Sequence, residues 1–306
     1  MQQIIIDFLR PASMHKIENE FLRVEAREYG AELISIYDKK NKLERLWNAD
    51  PAFWPWHAPV LFPVVGRCLN DEIMVDGKSY RMEKHGFARK TNFKLLELGD
   101  TKMVFSLTNS DDTLKIYPFK FEFLIAYRLQ GNMLYCRYEV INKDDKPMYF
   151  QLGGHPAFAV PPVGATTSGE RYSDYRLEFE QTETADRHFI DNNGFFDGRK
   201  QQVLSNSNSL ELRNDLFKAD ALIFKDLKSK RVTIKSANNS YSLAVTYTGF
   251  PYLGLWAKTD APYVCIEPWY GCADTAERQV EFPEKEGVIK LEQGEEFGAL
   301  FTVEIE

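Results

Sequence analysis

Short runs of strict apolar–polar alternation recur along most of this chain, and they decide what kind of element it can form. Phe21-Leu22-Arg23-Val24-Glu25-Ala26, Lys102-Met103-Val104-Phe105-Ser106-Leu107 and Val232-Thr233-Ile234-Lys235 each repeat at every second residue. That is the period of a strand with one buried face. Residues Phe119 to Leu129, then Gly131-Asn132, then Met133 to Ile141 read as a long hairpin, because Gly and Asn tolerate the positive φ of a tight turn. Further strands are predicted at 91–98, 147–152, 175–180, 221–225, 241–247, 253–257, 263–267 and 297–304. Helix signals are few. Asp50 before Pro51 favours one turn through Trp54, and Asn214 offers a cap for another turn through Lys218.

Many short strands without alternating helices predict an all-β fold, a large antiparallel β-sandwich with few short helices. Length alone, 306 residues, would suggest about two domains. No linker, composition shift or internal repeat divides the chain, however, so one sandwich domain over residues 14–306 is predicted. Residues 1–13 read as a poorly patterned extension.

Charge and cysteine usage narrow the function. Lys and Arg number 38 against 45 Asp and Glu, a net charge of −7, which argues against a nucleic-acid partner. No apolar run approaches the roughly 18 residues of a membrane span. Ile4-Ile5-Ile6 is cut by Asp7 and lacks a positive leader, so it does not read as a signal peptide. Cys68, Cys136, Cys265 and Cys272 are scattered without a C-x-x-C pair. That is the usage of a reducing cytosol, and a cytoplasmic location is expected. G-x-G-x-x-G, P-loop, G-x-S-x-G and H-E-x-x-H patterns do not occur, so nucleotide-cofactor, serine-hydrolase and zincin chemistry lack their usual support.

Five histidines can be weighed one by one. His15 and His188 read as solvated, and His57, among Trp and Pro, as a packed loop residue. His155, in Gly153-Gly154-His155-Pro156-Ala157-Phe158, ends a strand where glycines permit close backbone approach. It is either a core histidine satisfied by backbone groups or an acid–base group on a rigid turn. His85, between Lys84 and Arg89, is either a surface turn residue or a ligand. Arg67 follows the apolar run Val60 to Val65 and is either a structural ion-pair partner or an anion or hydroxyl binder. Glu267 closes the strand Tyr263-Val264-Cys265-Ile266-Glu267, on the same face as Cys265. It is either a desolvated base with a raised pKa or a rim glutamate paired with an arginine. Asp220, at the mouth of an apolar strand, reads by itself as a cap or surface acid.

The ordered set Gly66-Arg67 with Asn70, His85-Gly86-Phe87, Gly153 to Phe158, Asp220 and Cys265-Ile266-Glu267-Pro268-Trp269 resembles the aldose 1-epimerase (mutarotase) family, its bacterial LacX-like branch in particular. The resemblance spans about residue 17 to the C-terminus. It implies a galactose mutarotase-like supersandwich that interconverts sugar anomers without metal or other cofactor. By motif match Glu267 would be the base and His155 the acid. Arg67, His85, Asp220 and Asn70 would hold the sugar, with Trp256 as an aromatic wall. The partner implied is a small-molecule sugar, and a homodimer is compatible with it. This chain departs from well-studied galactose mutarotases after the glutamate and around the histidine, so no galactose preference is carried over.

Three other readings stay open. A hexose-6-phosphate mutarotase would use the same pair with a phosphate site from Arg67, Lys84 and Arg89. A non-catalytic carbohydrate-binding domain would keep the cleft alone. A glycoside-processing enzyme would pair Asp220 with Glu267. Aromatics make up 14% of the chain, and those beside motif residues (Phe87, Phe158, Trp269 and Trp256) are expected to line the cleft.

Overall fold

Alternation turns into pairing where the runs are apolar. A computed structural model describes residues 13–306; the predicted extension, Ser13 apart, lies outside the described residues. The main sheet has 19 strands. The predicted long hairpin forms from Phe121–Gln130 and Met133–Asn142, closed by the pair Gln130↔Met133 with Gly131 at φ 58°. Phe121, Phe123, Ile125, Tyr127 and Leu129 all point into the core, as the period of two requires.

The antiparallel path starts at Lys94–Leu98 and runs through Lys102–Thr108 and this hairpin to Glu296–Ile305. It continues through Ser242–Thr246, Arg231–Ser236, Tyr175–Ile190 and Leu222–Phe224 to Tyr252–Trp256 and Tyr263–Tyr270. Ala157–Val163, Leu43–Leu46, Leu33–Asp38, Leu22–Arg27 and Met14–Glu18 complete it. The two ends then meet. The Glu18 amide donates to the Asp100 carbonyl at 2.7 Å, and His15 packs on Phe105 with ring centroids 5.8 Å apart. The sheet is therefore nearly closed around an aromatic core that includes Phe62, Phe105, Phe123 and Phe158.

Several expectations are corrected. The strand predicted at 175–180 extends over Tyr175–Ile190 and pairs with Phe196–Glu211, a strand without an apolar pattern to announce it. The α-helix Asp111–Ile116 was also unannounced; Ser110 caps it by accepting from the Thr113 amide at 3.2 Å. Asp50 does cap a turn, its carboxylate accepting from Ala52 N–H at 2.9 Å and its carbonyl from Trp54 N–H at 2.9 Å, but no helix follows. Residues 214–219 do form a turn, with the Lys218 amide donating to the Asp215 carbonyl at 3.1 Å, but no amide among the described residues donates to the Asn214 side chain, whose own amide donates to Asp260 at 2.9 Å. His15 is a half-buried strand residue 3.1 Å from Glu28, and His188 is half-buried against Phe196. Neither is a freely solvated histidine.

Candidate active site

Glu267 sits near the end of Tyr263–Tyr270, where residues 263, 265, 267 and 269 share one face. It is 1% exposed. His155 occupies the break between Leu152–Gly154 and Ala157–Val163, its amide tied to the Pro59 carbonyl at 3.1 Å. Gly153 faces Trp269 across the ladder, and a Cβ there would lie 2.6 Å from the indole Cδ1. That close approach lets Trp269 lie beside Glu267.

The two groups meet with His155 Nε2 3.1 Å from Glu267 Oε2. They are not aligned for a direct hydrogen bond, and Glu267 Oε2 and His155 Nδ1 both lack partners. Burial pushes the His155 imidazole down to about 3, and Arg89 and Lys84 add to the shift. Burial also drives the Glu267 carboxyl well above the usual carboxylate range, against the pull of Lys84 and with the push of Asp220. Both shifts favour uncharged forms, so the pair carries one proton in total. The Trp269 indole N–H has no hydrogen-bond partner, although it lies near enough to ease a charge on Glu267.

Stacked on His155 is Trp54, with centroids 4.8 Å apart and planes at 27°, while Trp256 meets it edge-on at 6.0 Å. His85 stands perpendicular to His155 at 5.8 Å. The Gly66 amide donates to His85 Nδ1 at 3.1 Å. A backbone amide can only donate, so the His85 proton resides on Nε2 and that nitrogen is a donor. Burial, first, and then Lys84 and Arg89 hold His85 well below the usual imidazole value, so it is neutral. These groups line a cavity of about 380 Å³ together with Lys84, Arg89, Lys258 and Asp220. Among the described residues, Lys84, Arg89 and Lys258 have no carboxylate within 4.0 Å.

One donor set near this cavity has the composition of a metal site. Ligand atoms of His155, Cys265 and Glu267 lie within 4.8 Å of one another. Burial and the neighbouring Glu267 hold the Cys265 thiol far up, so a metal there would have to displace its proton.

The structure brings His155, Glu267, His85, Asp220 and Trp256 to this single cavity. Arg67 lies outside it, in an adjoining cavity of about 390 Å³. Its guanidinium is engaged twice by Asp71, at 2.7 and 2.8 Å, and donates to the Asn193 carbonyl at 3.1 Å. Of the two readings of Arg67, the structural ion pair is the one formed. Asn70 lines neither cavity; it is exposed and donates to Gln279 at 3.3 Å. Phe158 and Phe87 are also elsewhere, Phe158 in the core and Phe87 against Phe62 and Tyr117. Trp54, Ile190, Gly194 and Lys258 line the cavity without having been singled out. Trp54 had a local signal in its Asp50-capped turn. Ile190 and Gly194 depend on the unforeseen hairpin.

A nearly closed antiparallel sheet with this cavity belongs to the galactose mutarotase-like β-sandwiches. A galactose mutarotase related enzyme from Lactobacillus acidophilus superposes with a TM-score of 0.90 at 35% identity, over 96% of this chain and 97% of that one. A galactose mutarotase-like protein from Lactobacillus casei gives 0.88 at 32% identity, over 96% and 100%. Protein LacX (plasmid) of Lactococcus lactis subsp. lactis is 34% identical over 286 residues, covering 90% of this chain and 94% of LacX. The family model for aldose 1-epimerase matches residues 13–299. The chain belongs to the aldose 1-epimerase family.

Proposed function

We propose that this protein interconverts the α and β anomers of an aldohexose, with Glu267 as base and His155 as acid. The observation that carries the reading is the buried Glu267–His155 pair, 3.1 Å apart, with unpartnered polar atoms beside an aromatic-walled cavity. In the reactive form the pair's proton has moved from Glu267 to His155, so that the Glu267 carboxylate takes the proton of the C1 hydroxyl while the His155 imidazolium delivers one to the ring oxygen. The C1–O5 bond breaks, leaving an aldehyde at C1 and a hydroxyl at C5. After rotation about C1–C2 the C5 hydroxyl attacks the other aldehyde face, with both proton transfers reversed. Proton count is conserved over the cycle. In this reading His85 Nε2–H and Asp220 hold ring hydroxyls, and the indoles of Trp54 and Trp256 cover apolar C–H faces, which is supported by their lining the same cavity.

A second reading, a phosphorylated hexose as substrate, is favoured by Lys84, Arg89 and Lys258, cations with no carboxylate within 4.0 Å among the described residues, around a cavity in a chain of net charge −7. Anomer exchange of glucose, galactose and their 6-phosphates, followed by NMR, separates the two. Acceleration of the free sugars is the expected result. Exchange confined to the 6-phosphates establishes the second reading, and sugar binding without exchange of any substrate defeats both.

The shared proton also fixes a pH dependence. Below about pH 3 His155 gains a proton while Glu267 keeps its own, and no base remains. At high pH the pair loses its proton and no acid remains. The acid limb of kcat is therefore expected near pH 3, with no rise through the ordinary imidazole range. An inflection near the ordinary imidazole value of about 6.5 would contradict the assignment.

A further inference from the structure

Asp220 reaches the cavity from unusual backbone. It lies just before the strand Leu222–Phe224, lines the main cavity and both neighbouring ones, and has φ +66°, in the left-handed region. Its amide donates to the Phe217 carbonyl at 3.0 Å, and its carboxylate accepts from the Ala221 amide at 2.7 Å. Aspartate enters the left-handed region more readily than most residues, as Asp71, Asp76 and Asp260 also do, so what fixes Asp220 there has to come from its surroundings.

The surroundings are supplied by Arg187. This side chain belongs to Tyr175–Ile190, is 4% exposed, and lies over the Phe189 ring with the guanidinium carbon 4.1 Å from the centroid. Its Nη2 donates to three successive carbonyls: Ala219, Asp220 at 3.3 Å and Ala221 at 3.1 Å. In an extended run successive carbonyls point to opposite sides, so convergence on one nitrogen requires a non-extended residue between them, here Asp220 at φ +66°. Arg187 has no carboxylate within 4.0 Å among the described residues, so these carbonyls receive its charge. The function proposed above gives Arg187 no role.

We propose that Arg187 is a positioning residue. By gathering the carbonyls of residues 219–221 it holds Asp220 in the conformation that presents its carboxylate to the sugar, and so sets substrate affinity. Arg187 itself does not line the cavity. The inference rests on the epimerase reading for its substrate, a neutral or phosphorylated hexose held through its hydroxyls.

A double-mutant cycle tests it. Arg187→Met is expected to raise KM by roughly tenfold to hundredfold, the worth of one charge-assisted hydrogen bond, with kcat within about twofold. Asp220→Asn should show the same split. The double variant should be no worse than Asp220→Asn alone, because Arg187 acts only through Asp220. Arg187→Lys, which keeps the charge, should recover part of the loss, and it carries the comparison if Arg187→Met does not fold. Multiplicative effects in the double variant, or a loss confined to kcat, overturn the proposal. Sugar Kd measured on the same variants makes this comparison without relying on exchange. Wild type that binds sugar but does not exchange it fails the epimerase reading alone, and the cycle in Kd still decides the role of Arg187.

Discussion

Glu267→Gln is expected to slow anomer exchange by about 10²- to 10⁴-fold, the usual contribution of one positioned acid–base group. The fold should be nearly indifferent to the change. Burial drives the Glu267 carboxyl well above the usual carboxylate range, and an isosteric amide stands in for that uncharged form without introducing a buried charge. His155→Asn is expected to cost a similar factor in rate. It should also cost some stability, because the ring stacked on Trp54 at 4.8 Å is lost. The two groups share one proton and act together, so the double variant should be little slower than either single one. NMR exchange rates, with urea midpoints as the control for folding, measure all three. Exchange at the wild-type rate in Glu267→Gln would remove it from the base role.

Legibility of this site in the sequence followed the geometry of strands. Tyr263, Cys265 and Glu267 can be placed on one face because strand side chains repeat every two residues. Nearness to a motif residue is a weaker guide: it finds Trp269, whose strand runs on to Tyr270 and keeps it on the Glu267 face, but not Phe87 or Phe158. Phe158 lies three residues from His155, beyond a proline break, and is fully buried in the core. Arg67 was legible as a special position but not as to which one, since its partners Asp71 and Asn193 come from a turn and from the tip of a hairpin.

That hairpin marks where sequence reading runs out. Phe196–Glu211 is largely exposed along its length, so no apolar period betrays it, yet the turn before it brings Gly194 to the cavity. Its partner strand also carries Arg187. The chemistry-bearing strand could be read from local pattern because one face is buried. The parts that orient substrate are held by polar contacts between segments far apart in sequence, and no local pattern encodes those.

Gly86→Ala is expected to be among the most destabilising single-methyl changes in the chain, although it adds one carbon next to a candidate ligand. Gly86 has φ +70°, and a Cβ there would lie 2.1 Å from the Phe62 carbonyl oxygen and 2.4 Å from its carbon. That oxygen cannot retreat cheaply, since it accepts from the Phe87 amide at 3.1 Å and the Ala88 amide at 3.2 Å. Gly77 supplies the control. It has φ +71° but nothing within 4 Å of a built Cβ. Gly77→Ala therefore reports the left-handed strain alone, about 1–2 kcal/mol. Gly86→Ala adds displacement of buried backbone and should cost about 3–5 kcal/mol, a large share of the roughly 5–15 kcal/mol that stabilises a folded domain. Urea midpoints of the two variants give the difference directly. The adjacent His85 is bonded in both directions to Gly66, through its amide at 2.8 Å and its ring at 3.1 Å. Any Gly86→Ala protein that still folds should thus bind sugar more weakly. Equal midpoints for the two alanine variants would show that the Phe62 segment yields, and that this turn does not rigidly fix His85.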